Sequence, residues 1–201
     1  MTLPLTPERL AAVTLTGRFV ELRPLTRDDT EALVAVGLDP GLWQHTVSQV
    51  RSHADMARYI ETALEEQSAG RSLPFIIGSR SDQRVVGCTR YGNIDRHNRR
   101  VEIGWTWVAP PWQRTPINTE AKLLLLRHAF ESLGCVRVEF KTDRLNEKSR
   151  AALHRIGAVE EGTFRRHMIT DSGRWRDSVY FSIVAEEWPA VRAGLEARLA
   201  H

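Results

Sequence analysis

The chain has 201 residues, 42% of them hydrophobic and 26% charged, the ordinary balance of a globular domain with a full core. A net charge of +3 is too mild to argue for nucleic-acid binding and is better assigned to holding a small anion. No unbroken apolar stretch approaches the roughly 20 residues that cross a bilayer, and "MTLPLTPERL" lacks the pattern of a signal peptide, so a cytoplasmic protein without membrane contact is expected.

In chain order, "RFVELRPL" (18–25) alternates as an opening strand. Thr26 then caps a helix that carries Asp29 three residues on and stops at Gly37. "GLDPGLWQHTVSQVR" (37–51) reads as a long loop displaying Trp43 and His45. A second helix runs from Ser52, with Met56, Tyr59, Ile60, Ala63 and Leu64 at helical spacing, and closes at Gly70. Strands from Leu73, Arg84 and Val101 form an antiparallel meander, with "RHNRR" (96–100) as its last turn. A helix spans about 116–133 and ends at Gly134. "CVRVEFKT" is a strand, and "NEKSRAALHRIG" a helix with Asn146 as N-cap and Gly157 past its end. Strands at 163–169 and 175–184 and a terminal helix at about 186–200 complete the chain. Cys88 and Cys135 sit inside strand-like segments and read as buried thiols, with no metal site. The order of elements gives a single mixed α+β domain over 1–201, with parallel crossovers only around the two central helices.

The junction "WVAPPWQRTPINTEAKLLLL" (107–126) carries the chemistry. Thr115 caps a helix and Pro116 suits its first position. The N–H groups of Arg114, Thr115, Ile117, Asn118 and Thr119 stay available as donors, with the Arg114 charge and the Thr119 hydroxyl beside them. Unpaired N–H groups and a partial positive charge suit such a turn to holding an anion, while an ordinary capped helix accounts equally for the same residues. In the strand before it, Val101, Ile103, Trp105 and Trp107 form an apolar face and Glu102, Gly104 and Thr106 a polar one. Gly104 marks a bulge or a close backbone approach by a ligand. Beyond it Trp107 and Val108 leave backbone groups free, along which an extended amide-bearing arm can lie as an added strand.

"VEIGWTWVAPPWQRTPINTEAKLLLL" and "NEKSRAALHRIGAVEEG" resemble the Gcn5-related N-acetyltransferases, and among them the ribosomal-protein N-terminal acetyltransferase (RimJ/RimL-like) branch. The resemblance runs from "LRPLTRDD" to "VYFSI". It implies a seven-stranded, mostly antiparallel sheet splayed between its fourth and fifth strands, with acetyl-coenzyme A in the cleft as cosubstrate and its pyrophosphate on the turn Gln113–Thr119. In the family's Q/R-x-x-G-x-G/A turn, Pro116 and Asn118 here fill both glycine positions. Proline deletes one donor, and Asn118 offers its side-chain amide instead.

Acetyl transfer to an amine needs a base, an oxyanion donor and a proton for the leaving thiolate. An α-amine titrates near 8, so a modest base suffices. Glu102 is the candidate base; the alternative is a structural carboxylate paired with an arginine. The resemblance makes the Val108 N–H an oxyanion donor, Asn146 a partner of the pantetheine arm and Ser149 a weak general acid, while capping alone accounts equally for Asn146 and Ser149. Of six tryptophans, Trp43 and Trp105 are assigned with His45 to the acceptor pocket, Trp105 having a core alternative. Trp112 is expected to lid the turn, Trp175 and Trp188 to be core or docking residues, and Tyr180 and His128 core.

The expected activity is acetylation of a primary amine, either a protein N-terminus or a small aminoacyl compound. The rival is a non-catalytic coenzyme A-binding or interaction module. A homodimer is expected through the Trp188–Leu199 stripe and the final strand pair.

Overall fold

The computed structural model describes residues 10–200; residues 1–9 and His201, part of the domain expected over 1–201, lie outside the described residues. The chain builds one eight-stranded sheet: β1 (Leu15–Thr16), β2 (Val20–Pro24), β3 (Leu73–Ser79), β4 (Val85–Asp95), β5 (Arg100–Val108), β6 (Arg137–Asp143), β7 (Val159–Ile169) and β8 (Trp175–Val184), in the spatial order β1-β2-β3-β4-β5-β6-β8-β7. The expected seven strands become eight because Leu15 and Thr16 pair with Leu22 and Glu21; a two-residue strand is too short to leave an alternation in the sequence.

Helices α1 (Thr30–Gly37), α2 (Pro40–Trp43) and α3 (His53–Ser68) pack on one face, and α4 (Pro116–Arg127), α5 (Glu147–Arg155) and α6 (Trp188–Leu199) on the other. Thr26 and Asp29 form the capping box before α1, with Asp29 Oδ2 accepting from the Thr26 N–H at 2.8 Å. Ser52 caps α3. A π turn, His128–Ser132, extends α4 toward Gly134, which takes φ +65°. His128 stacks loosely on the buried Tyr91 ring. The meander β3–β4–β5 is antiparallel as expected, and both cysteines are buried free thiols.

The α4 face holds the aliphatic core, from Val20 and Phe75 through Leu123–Leu126 to Phe181 and Leu195. Glu120 fixes α4 across it: its carboxylate accepts backbone N–H bonds from Arg18, Phe19 and Val20 at 2.8, 2.6 and 2.8 Å. The α3 face is divided. Over β3–β5 it is apolar, with Leu33, Trp43, Met56, Tyr59 and Trp107 packed together. Over β6–β8 it carries Glu139, Lys141, Asp143, Ser178, Tyr180 and Ser182, matched across strands by the register Glu139↔Ser182, Lys141↔Tyr180 and Asp143↔Ser178.

Four expectations are corrected here. The loop after Gly37 contains α2, and Trp43 is 2% exposed, its indole N–H bonded to the Gly37 carbonyl at 2.7 Å. Trp175 points outward, 54% exposed, on the hairpin of the edge strand. The Trp188–Leu199 stripe is spent on its own domain: Trp188 stacks on Phe130 and bonds Glu131, and Leu195 is buried. Trp112 docks on the β3–β4 hairpin through Asp82 and Arg84 rather than covering the turn.

Candidate active site

The sheet opens at one point. β5 and β6 are parallel and pair only at Arg100↔Arg137, Val101↔Val138 and Glu102↔Glu139. Beyond Glu102 they part, leaving a cleft between residues 103–108 and 140–143. α4 starts just after β5 and α5 soon after β6, so two helix N-termini flank the mouth, at the carboxyl ends of parallel strands where such sheets bind ligands.

A bulge shapes the β5 wall. The register moves from Cys88↔Trp107 to Arg90↔Gly104, so Trp105 and Thr106 together oppose Thr89. The bulged residue is Trp105, at φ +50°, one position after the glycine expected to mark it. The extra residue breaks the alternation, which corrects the single apolar face read for this strand. Val101, Ile103 and Val108 face the α4 core, while Trp107 turns to the α3 side, its ring centroid 5.6 Å from that of Trp43. Trp107 therefore has only its backbone to offer a cofactor. The Ala109 N–H bonds Val86 at 2.8 Å; by strand alternation the Val108 amide points the other way, into the cleft.

At the turn, Thr115 caps α4 by accepting from the Ile117 N–H and donates its hydroxyl to the Trp112 carbonyl at 2.6 Å. Gln113 is a brace, its Nε2 donating to the Val108 carbonyl at 2.8 Å. Arg114 is exposed and left-handed at φ +60°. The Ile117 side chain is buried, whereas Asn118 and Thr119 are half-buried in the first turn, where amides lack intrahelical acceptors. These groups and the open β5 edge fit a pyrophosphate followed by an extended arm. Opposite them, Asn146 Oδ1 accepts from the Ser149 N–H at 3.0 Å. That is the capping bond, and it leaves the Asn146 amide nitrogen and the Ser149 hydroxyl without a hydrogen bond among the described residues.

Glu102 stands where the strands part and is 2% exposed. Its Oε2 accepts from Asn93 Nδ2 at 2.6 Å and lies 3.4 Å from Lys141 Nζ, so its cationic partner is a lysine rather than an arginine. Its Oε1 lies over Gly104, where an added Cβ would come within 2.9 Å of it. The glycine thus clears room for the carboxylate to lie along the strand.

Around Glu102 the polar half-face collects Tyr180, whose ring centroid is 5.8 Å from Lys141 Nζ, and His167 and Phe164 against that ring. Burial, helped by the charges of Glu102 and Glu139, raises the Tyr180 phenol and keeps it protonated. Burial together with Lys141 and Arg176 lowers His167 and keeps its imidazole neutral near pH 7. Tyr180 is therefore half-buried on the polar half-face rather than in the core. The segment after Trp43 reaches across to the β7–β8 turn: the Asp171 N–H bonds Val47 and the Gln49 N–H bonds Asp171 Oδ2, each at 2.9 Å. His45 lies half-buried in this segment, whereas Trp43, expected in the pocket, belongs to the core. Trp105 is half-buried, its ring against Gly92 and under the Arg90 guanidinium at 4.6 Å.

Lys122 was not legible as a site residue, because "KLLLLR" reads as a helix with an exposed lysine. The residue is 7% exposed, and its ammonium donates to Thr106 Oγ1 at 2.8 Å and lies 5.8 Å from the Phe140 ring centroid, bridging the walls of the cleft from below. Burial lowers its pKa to about 7. Among the described residues no group of His, Cys, Asp or Glu is placed to hold a metal, and no helix is long and apolar enough to cross a membrane.

A sheet splayed between two parallel strands, with helix N-termini at the mouth and a carboxylate at the apex, fits an acyltransferase that uses acetyl-coenzyme A. Residues 20–159 match the model of the acetyltransferase (GNAT) domain, and the chain belongs to that family. It is similar to the provisionally named ribosomal N-acetyltransferase YdaF of Bacillus subtilis, 38% identical over 107 residues, which is 53% of this chain and 57% of that protein. Among solved structures it is similar to a GCN5-related N-acetyltransferase from Brucella melitensis, with TM-score 0.88 and 28% identity over 97% of this chain and 88% of that one. It is also similar to RimJ of Mycobacterium smegmatis in complex with CoA-disulfide, with TM-score 0.77 and 29% identity over 93% of each chain.

Proposed function

We propose that this chain, acting as a single domain in the cytoplasm, transfers an acetyl group from acetyl-coenzyme A to a primary amine held on the polar half-face of the sheet. The observation that carries this reading is the placement of Glu102 at the apex of the cleft. One carboxylate oxygen is tied to Asn93 and Lys141, and the other lies over Gly104 toward the opening.

Acetyl-coenzyme A supplies an activated thioester; the protein supplies the rest. The first turn of α4 and Arg114 take the pyrophosphate, and the Val108 amide faces the arm and the developing oxyanion, a role worth roughly 3 kcal/mol in other enzymes. Glu102 Oε1 accepts the proton of the attacking amine. The Ser149 hydroxyl donates a proton to the departing sulfur and is replenished from water. A protein N-terminus is favoured as acceptor by the printed names of YdaF and RimJ, and a small aminoacyl compound by the narrow, partly roofed face.

The test is thiol release from acetyl-coenzyme A over a panel of N-terminal peptides and aminoacyl compounds. Turnover with at least one acceptor, abolished in Glu102→Gln, is the expected result. Binding of acetyl-coenzyme A without turnover on any acceptor would favour the interaction module, the reading that Pro116 and Asn118 in the phosphate turn keep open.

A homodimer is also proposed. With the α6 stripe buried, its surface is the hairpin of β7 and β8, where Val159, Phe164, Ile169 and Trp175 are exposed. Light scattering at the mass of one 22.9 kDa chain at all concentrations would reject it.

A further inference from the structure

Arg176 is a buried charge that nothing among the described residues neutralises by contact. It stands on β8 opposite Met168, on the face that carries Glu102, Lys141 and Tyr180, and is 6% exposed. Its neighbours are already committed: Arg174 holds Asp143, and Lys141 holds Glu102. Arg144 holds Asp177. Arg176 forms no ion pair among the described residues, and its Nε has no hydrogen-bond partner.

Burial lowers its proton affinity and the charge of Arg174 adds to this, while the nearby charges of Asp143 and Glu102 work in the other direction without touching it. A guanidinium does not shed its proton in a protein, so this charge stays. Leaving it buried and unpaired carries a heavy desolvation cost, and a fold gains nothing from it that a methionine would not give. The same electrostatic neighbourhood contains His167, itself influenced by Arg176, Lys141 and Glu102. The segment tied to Asp171 by Val47 and Gln49 crosses above this end of the sheet. Arg176 thus sits with the candidate base on the surface that receives the acceptor.

We propose that Arg176 is the specificity anchor of the acceptor site, binding an oxyanion of the acceptor while Glu102 receives its amine. The acceptor is then a primary amine that carries a carboxylate or a phosphate. This rests on the reading that the polar half-face holds the acceptor. The fork of Arg176 suits either oxyanion, and both satisfy the guanidinium left without a partner.

The experiment compares matched acceptors with wild type, Arg176→Gln and Arg176→Met. The pairs are an amino acid against its amide, an aminoalkyl phosphate against the aminoalkyl alcohol, and an N-terminal peptide with Asp against Asn at its second residue. Expected for wild type is a kcat/KM preference of roughly 10–100-fold for the anionic member of at least one pair, the size of a hydrogen bond to a charged group. The pair that shows it identifies the source of the oxyanion. Both variants should bring that ratio near one through KM, leaving acetyl-coenzyme A affinity unchanged. Their melting temperature should hold or rise, because an uncompensated charge is removed; a structural arginine would lower it.

Equal use of both members of every pair by wild type, or a preference that survives Arg176→Gln, would overturn the proposal. If nothing is acetylated, the functional reading fails separately. Calorimetry of the same ligands still decides the anchor: binding of the anionic amine that is lost in Arg176→Gln supports it, and binding unchanged in the variant rejects it.

Discussion

The α3 face of this sheet has two halves with opposite contents. Over β3–β5 it is closed by Trp43, Tyr59, Met56 and Trp107, and its polar groups are few. Over β6–β8 no helix among the described residues covers it, and it holds Glu102, Lys141, Asp143, Arg176 and Tyr180, all of them buried or half-buried. Burying apolar rings stabilises a domain, whereas burying charges seldom does. The first half is what the fold needs. The second is the half that the proposed function gives to a ligand, and the bulge at Trp105 lies on the border, sending Trp107 to one half and leaving Glu102 at the edge of the other.

Substitutions on the two sides should therefore separate stability from turnover. On the charged side, Glu102→Gln should lower kcat per folded molecule by roughly 10²–10⁴, with some loss of melting temperature because Lys141 loses its carboxylate partner. An unchanged rate at pH 7 would mean that the amine deprotonates without it. On the apolar side, Trp43→Ala should cost about 3–5 kcal/mol in a denaturant titration, while activity per folded molecule stays the same. Loss of activity at full stability would return Trp43 to the acceptor pocket.

Lys122 lies at the seam, beneath the cleft, and gives a pH signature. The unfolded chain keeps this proton to about 10.4, whereas the native protein releases it near 7. Between those values the unfolded state binds more protons, so this group makes stability rise with pH from about 7 to about 10.4, and below 7 it adds no slope. Lys122→Met should stabilise the protein by about 1–4 kcal/mol at pH 7 and flatten that rise. A pH-stability curve unchanged in the variant would show that the ammonium is not desolvated.

The smallest effect is at α5. Asn146→Ala should cost about 1 kcal/mol by losing the cap, and Asn146→Asp should keep the cap while removing the amide donor. A raised KM for acetyl-coenzyme A in both variants marks a contact to the arm; normal KM values in both leave Asn146 as a cap.

Local signals in the sequence were reliable where the physics is local. Thr26 with Asp29, Ser52, Thr115 with Pro116, and Asn146 all cap helices as their chemistry requires. The opening between β5 and β6 came with the family resemblance. What could not be read depends on register. One extra residue at Trp105 reverses every later side chain on β5, and no composition signal distinguishes Trp105 from Gly104 as the bulged position. Trp43 looked exposed because its partners, Tyr59 and Trp107, are far away in sequence. Lys122 and Arg176 look like surface cations until the strands on either side are placed. Asn93, which holds Glu102, enters only through its own bulge, at φ +45°.

The central claim is that the acyl carrier lies in the gap that opens beyond Glu102, between the N-termini of α4 and α5. Hydrogen–deuterium exchange of the wild-type protein with and without acetyl-coenzyme A tests it directly. The account predicts slower exchange at the Val108 amide, across Arg114–Thr119 and at 146–149, with the apolar half under α3 unchanged. Protection confined to other segments, or none at saturating ligand, would contradict it.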